Sequence, residues 1–180
     1  ICSLFKLILR NTSERLEKNS EAKLVEENEI QKDTYFTPND RNFLDKKPVS
    51  EWLRIREERG KYSITYKNWA KEDGKNAKFK CREVETNVDD IEAIKEIFDV
   101  LKVKELVVVE KTRTSYLYKD IIISIDIVEK LGSFVELEFK TNIYEDEEKA
   151  FEYIMKIVEE LDIKIGKQIF KGYPGLMLGL

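Results

Sequence analysis

Apolar and polar residues alternate through Trp52-Leu53-Arg54-Ile55-Arg56, and the alternation resumes from Lys61 to Lys67 after Arg59-Gly60. A period of two on both sides of a glycine-containing turn predicts a β-hairpin. The same period recurs from Phe79 to Val88, from Glu105 to Thr112 with Ser115 to Lys119, from Ile121 to Val128 and from Ser133 to Lys140. The last three predict a meander with turns at Lys119-Asp120 and Lys130-Leu131-Gly132. Phe5 to Leu9 reads as a short first strand, and Asp33 to Phe36 as another that breaks at Thr37-Pro38-Asn39-Asp40 into a loop reaching Ser50. Two segments change period. Ile91, Ile94, Ile97, Phe98 and Leu101 fall at helical spacing behind the capping pair Asp89-Asp90, and Ala150, Ile154, Ile157, Val158 and Leu161 line one face of a helix from Glu145 to Leu161. Ser13 to Asn28, rich in Glu and Lys with sparse apolar positions, predicts a surface helix. Ile169 to Leu180 reads as an apolar-ending tail around Tyr173-Pro174-Gly175.

A chain of 180 residues, 42% hydrophobic and 38% charged, suits one globular domain over 1–180 with a heavily charged surface or interior. The net charge of −4, from 32 basic and 36 acidic residues, supplies no general attraction to nucleic acid or to an anionic membrane, so any polyanion site must be local. No apolar run approaches the roughly 20 residues that cross a bilayer, and the opening ICSLFKLILR lacks a secretory cleavage pattern, so a soluble, cytoplasmic protein is expected. The absence of histidine excludes a Ser-His-Asp triad, a Cys-His dyad and an H-E-x-x-H zinc site, and the two cysteines, Cys2 and Cys81, have no zinc spacing. The sequence leaves open whether two copies associate.

Charge falls on one face of strand after strand, with both signs present. Arg54 and Arg56 lie opposite Leu53 and Ile55, Ser63, Thr65 and Lys67 share a face of the next strand, and Lys111 pairs with Arg113. Glu83 with Glu85 and Glu136 with Glu138 form acidic pairs two residues apart, joined by Asp126. Such strands either form an open antiparallel sheet with a solvated charged face, or close into a barrel with the charges inside. Periodicity alone leaves both open.

Five segments in succession, Asp33-Thr34-Tyr35-Phe36, Leu53-Arg54-Ile55-Arg56, Thr65-Tyr66-Lys67, Lys111-x-Arg113-x-x-Tyr116 and Asp126-x-Val128-Glu129-x-Leu131-Gly132-x-Phe134-x-Glu136-x-Glu138, resemble the CYTH superfamily, most closely its class IV adenylyl cyclase-like branch. The resemblance implies an α+β fold: an eight-stranded antiparallel β-barrel or tunnel with helices packed outside, admitting ATP or another triphosphate. It implies that Lys6, Arg54, Arg56, Lys67, Lys111 and Arg113 grip phosphate oxygens, and that Glu83, Glu85, Asp126, Glu136 and Glu138 hold Mg²⁺ or Mn²⁺, hard ions that favour carboxylate oxygen. The implied reaction is cyclisation of ATP to cyclic AMP and pyrophosphate, or hydrolysis of a triphosphate.

Three departures from the family pattern support an alternative. The family opens with E-x-E-x-K on its first strand, where this chain has Cys2-Ser3-Leu4-Phe5-Lys6. Cys81 stands where relatives carry arginine, and Gly175 where they carry an acid. The alternative is a catalytically degenerate module that binds a nucleotide or triphosphate without turnover, and a structural or partner-binding sheet domain is the third reading. Because both cysteines fall where relatives keep charged tunnel residues, the resemblance raises two options: contact between Cys2 and Cys81 as tunnel thiols, or two buried thiols acting as small apolar residues.

Overall fold

The structure, a computed structural model, describes residues 2–8, 12–69, 81–140 and 147–180. It divides into two compact units: residues 1–29 with 111–170, and residues 30–110 with 171–180.

The first unit holds strand β1 (Cys2–Leu7), helix α1 (Thr12–Lys18), the first part of β2 (Lys23–Thr37), the second part of β6 (Lys104–Tyr118), β7 (Ile121–Val128), β8 (Gly132–Phe139), α3 (Glu147–Glu160) and β9 (Ile165–Ile169). Alternation along β7 sends Ile121, Ile123 and Ile125 to one face and Ile122, Ser124 and Asp126 to the other. On the apolar face they join Tyr116, Tyr118, Val135, Leu137, Phe139 and Phe5, and are covered by Leu16 of α1 and by Ala150, Ile154, Ile157 and Val158 of α3 in one core. The expected face of the Glu145 to Leu161 helix is therefore the face that packs, and removing water from it stabilises the unit by about 1.5–3 kcal/mol for each large side chain. The charged face of the strands is left on the opposite side of the sheet.

The second unit holds the rest of β2 and β6, with β3 (Glu51–Glu58), β4 (Lys61–Asn68), β5 (Arg82–Val88), α2 (Ile91–Val100) and α4 (Gly172–Met177). The β3–β4 hairpin closes through Arg59 and Gly60, both at positive φ (51° and 69°), the twist-matched turn that the Arg-Gly pair predicted. Its register pairs Arg54 with Thr65 and Arg56 with Ser63. Asp90 caps α2 by accepting a hydrogen bond from the Ala93 backbone N at 2.9 Å, and Phe98 of that helix meets Phe36 edge-on at 5.1 Å between ring centroids.

In hydrogen-bonding order the strands run β5-β4-β3-β2-β6-β7-β8-β1-β9. The architecture is α+β and mostly antiparallel, as expected, but it differs from the expectation in two respects. Among the described residues there are nine strands where eight were expected, and their order ends at β5 and β9 without closing. The ninth strand explains part of this, since β9 pairs along β1 on the side away from β8 and so occupies that edge. The surface helix expected from Ser13 to Asn28 is also corrected: helix persists only to Lys18, Asn19 accepts the Glu21 backbone N–H through its side chain at 2.9 Å, and β2 begins at Lys23. The polar segment expected from Lys71 to Lys78 lies outside the described residues. No described helix is long and apolar enough to cross a membrane.

Candidate functional site

The charged faces are buried at their centres and exposed at Glu83, Glu85 and Glu138. Arg54 is 7% exposed, Lys111 5% and Asp126 0%. Charge at such positions is stable only when paired or hydrogen-bonded, so the partners reveal how each face is built.

In the second unit β3 and β4 place Arg54, Arg56 and Lys67 on one face beside acids from β2 and β5. Arg56 donates from Nε to Asp33 Oδ1 at 2.6 Å and from Nη2 to Oδ2 at 2.7 Å. Arg54 Nη1 lies 3.5 Å from Asp33 Oδ2, and its Nη2 donates to Thr65 Oγ1 at 2.9 Å and to Glu85 Oε2 at 3.3 Å. Thr65 in turn donates to Glu85 at 2.6 Å, and Lys67 pairs with Glu83 at 3.0 Å. Arg54 Nε is buried with no hydrogen-bond partner. A buried guanidinium N–H without an acceptor is costly to leave unsatisfied, and an anionic oxygen would satisfy it.

In the first unit β6 carries Lys111 and Arg113 against Asp126 of β7. Arg113 donates from Nε to Asp126 Oδ1 at 2.7 Å and from Nη2 to Oδ2 at 2.6 Å, while Lys111 Nζ reaches Oδ2 at 3.1 Å. Arg113 Nη2 also donates to Glu136 Oε2 at 2.5 Å. Burial alone would push the Asp126 carboxyl up, but the Arg113 hydrogen bonds and the charges of Lys111 and Arg113 outweigh it and hold the group below the usual aspartate range. Beside this cluster Ser115 donates to Glu26 at 3.0 Å and lies 2.9 Å from Ser124, extending the polar face across three strands.

Lys6 has a tightly shaped seat. Its ammonium donates to the Leu131 carbonyl and lies 4.3 Å from the centre of the Phe134 ring. Gly132, at φ +90°, leaves the space, since a Cβ there would come within 3.1 Å of the Lys6 nitrogen. The Leu-Gly-x-Phe run in the last motif is thus the socket of a cation contributed by β1. Gly132→Ala is expected to destabilise by roughly 1–2 kcal/mol through backbone strain alone. Thermal denaturation with no loss of melting temperature would count against this account of the socket.

Of the residues the resemblance pointed to, the structure joins Lys111, Arg113, Asp126 and Glu136 in one cluster, and Arg54, Arg56, Lys67, Glu83 and Glu85 in another. Lys6 sits in its own socket, and Glu138 is exposed on β8 two residues beyond Glu136. Cys81 is half-buried, its thiol 3.4 Å from the Arg82 carbonyl oxygen, while the Cys2 side chain, and with it any contact between the thiols, lies outside the described residues. Asp33, Thr65, Ser115, Ser124 and Glu26 were not singled out as site residues. The signal that could have found two of them was period: Ser115 is two residues beyond Arg113, and Ser124 two before Asp126.

A model of the CYTH domain matches residues 4–173 of the chain. The chain belongs to the CYTH domain family. Among its CYTH relatives, a Methanocaldococcus jannaschii protein named "Putative adenylate cyclase" is 38% identical over 144 residues, covering 80% of this chain and 79% of its own. The solved structure of the PH1819 protein from Pyrococcus horikoshii superposes with a TM-score of 0.78 at 27% identity, covering 99% of both chains. A Hippeastrum protein, named "Putative adenylyl cyclase" and said to show a dominant triphosphatase activity, shares the fold at a TM-score of 0.60 and 16% identity, covering 95% of this chain and 90% of its own.

The divalent ion implied by the family can be tested against the residues of this CYTH chain. Among the described residues, no three histidine, cysteine, aspartate or glutamate side chains converge as a metal set. The pairing of β1 with β8 shows why on one side: Leu4 lies opposite Glu136 and Cys2 opposite Glu138. These are the positions where the first-strand acids of the family pattern would stand. Asp126 is wholly buried and both of its oxygens are taken by Lys111 and Arg113. A hard cation at this face would therefore have Glu136 and Glu138 as its nearest carboxylates and would complete its shell with water or phosphate oxygens.

Proposed function

We propose that this chain binds a linear triphosphate, either inorganic or part of a nucleotide, and that its basic sets, Arg54, Arg56 and Lys67 in the second unit and Lys6, Lys111 and Arg113 in the first, are phosphate-binding groups. The observation that carries this reading is the buried Arg54 guanidinium, whose Nε has no partner although the same side chain is held from its other nitrogens. A polyphosphate oxygen is the acceptor that such a charged, desolvated donor favours most, and arginine can take phosphate through two parallel N–H bonds.

The fate of the bound triphosphate has two readings. The names of the relatives favour turnover: attack of a ribose 3′-hydroxyl on the α-phosphorus with pyrophosphate leaving, or attack of water on the terminal phosphorus. In either case the basic residues of this chain would hold the phosphates in line and neutralise charge as it develops. Mg²⁺ or Mn²⁺ is the usual companion of such chemistry in this family, but no step is assigned to it because no three acids converge among the described residues. The pairing of Leu4 with Glu136 favours the second reading, binding without turnover.

Isothermal titration with tripolyphosphate and with ATP, each with and without Mn²⁺ and combined with product analysis, separates the readings. Saturable binding without product is the expected result. Release of cyclic AMP or orthophosphate would move the assignment to an enzyme, and absence of heat with both ligands would end the proposal.

A further inference from the structure

Asp33 was no part of the expected site, yet its bidentate arginine contact repeats that of Asp126. Each aspartate lies opposite an arginine in an antiparallel pair, Asp33 with Arg56 and Asp126 with Arg113. In each case Nε donates to Oδ1 and Nη2 to Oδ2, at 2.6 and 2.7 Å for Arg56 and at 2.7 and 2.6 Å for Arg113. In each case a second cation two residues earlier on the arginine's strand reaches Oδ2, Arg54 at 3.5 Å and Lys111 at 3.1 Å. Both carboxylates are sealed from water, with side-chain exposures of 1% and 0%. The same device therefore occurs once in each unit: one buried acid on one strand holding a basic pair, spaced two residues apart, on its neighbour.

We propose that Asp33 is a positioning residue: it orients Arg54 and Arg56 for polyphosphate, as Asp126 orients Lys111 and Arg113, and neither acid touches the ligand or a metal. This deepens the triphosphate reading and rests on it. A long arginine side chain samples many rotamers, and ordering it when the ligand arrives subtracts from affinity. A bidentate contact to a buried carboxylate fixes the guanidinium plane on folding instead. The acid also lets two cations share one face without mutual repulsion driving them apart.

The proposal has a sign opposite to that of simple electrostatics. Removing a negative charge beside a polyanion site should tighten binding if Asp33 contributed only its charge. Loss of a positioning group should weaken binding instead. Asp33→Asn keeps the size but presents an NH₂ group to a guanidinium that has only donors. Tripolyphosphate affinity by titration calorimetry is expected to fall about tenfold, the scale on which loss of an orienting partner acts on a ligating group. Asp126→Asn is expected to move affinity in the same direction, whereas Glu57→Gln, an exposed charge on the same strand as Arg56, should leave it unchanged or slightly tighter. Equal or tighter binding by Asp33→Asn overturns the proposal, while absence of tripolyphosphate binding by the unmodified protein overturns the functional reading beneath it. Should the variants fail to fold, the unmodified protein still decides. Its Arg56 and Arg113 Nε–H protons should exchange slowly with water in ¹⁵N NMR, both free and with tripolyphosphate bound, and rapid exchange of either would refute the clamp.

Discussion

Arg113→Ala is expected to lower stability by about 3–5 kcal/mol, because it strips the bidentate partner from a carboxylate that no water reaches. For a chain of this length that corresponds to a fall of roughly 10 °C in the apparent melting temperature. Lys111 would remain against Asp126 at 3.1 Å, without the two guanidinium hydrogen bonds. Triphosphate affinity should fall by more than tenfold in the same variant, since a proposed phosphate ligand is gone. Stability and function can then be pulled apart. Replacing the whole cluster by apolar residues of similar volume, Lys111→Met with Arg113→Leu and Asp126→Leu, removes the buried charges together, and such replacements are commonly neutral or stabilising. Glu136 would lose its contact with Arg113 too, but at 24% side-chain exposure it also reaches water. The triple variant should therefore melt near or above the unmodified protein and bind no triphosphate. If it melts as low as Arg113→Ala, the cluster is held for stability, and its link to ligand binding loses its main support.

How much of this was legible before any coordinates depended on whether the local pattern and the tertiary environment agreed. At α2 they agree: Asp90 caps, the isoleucines repeat at helical spacing, and the helix runs Ile91–Val100. The β3–β4 hairpin and β7 were equally plain, because period two continues without interruption and the turns carry Arg59-Gly60 and Lys119-Asp120. The start of β2 was not. Lys23 to Glu29 is so rich in charge that it reads as the surface of a helix, and its few apolar residues, Leu24 and Val25 among them, are exposed, so burial leaves no alternation to read. Only pairing with a neighbouring strand, which lies far away in sequence, makes it extended. β9 was missed for a related reason: five residues interrupted by Gly166 and Lys167 show little period, and their strand character comes from β1. The site divided along the same line. The basic residues stood out because charge on alternate positions of a strand is unusual, whereas Asp33 looked like an ordinary member of a short motif until its partner on β3 was known.

The second large effect concerns the ion. The unmodified protein should bind tripolyphosphate in EDTA about as tightly as in Mn²⁺, and Mn²⁺ titrated alone, monitored by its electron paramagnetic resonance signal, should show no saturable protein site. Leu4→Glu is expected to change this, raising Mn²⁺ affinity on the order of tenfold or more, since ligand number and charge dominate the affinity of hard-cation sites. The geometry behind this expectation is the β1–β8 register, which sets Leu4 directly across from Glu136, with Glu138 on the same face two residues along. Directly opposed residues on antiparallel strands bring their Cβ atoms to about 5 Å, near enough for two carboxylates to share one ion. Without metal the variant should be less stable than the parent, because Leu4 is only 8% exposed and the new charge would face Glu136. Mn²⁺ should then raise its melting temperature by mass action, an increment the parent should not show. A tight Mn²⁺ site in the parent, or triphosphate binding that collapses in EDTA, would mean that carboxylates outside the Asp33 and Asp126 clusters complete the coordination. The replacement of the first-strand acid by leucine would then carry no functional consequence.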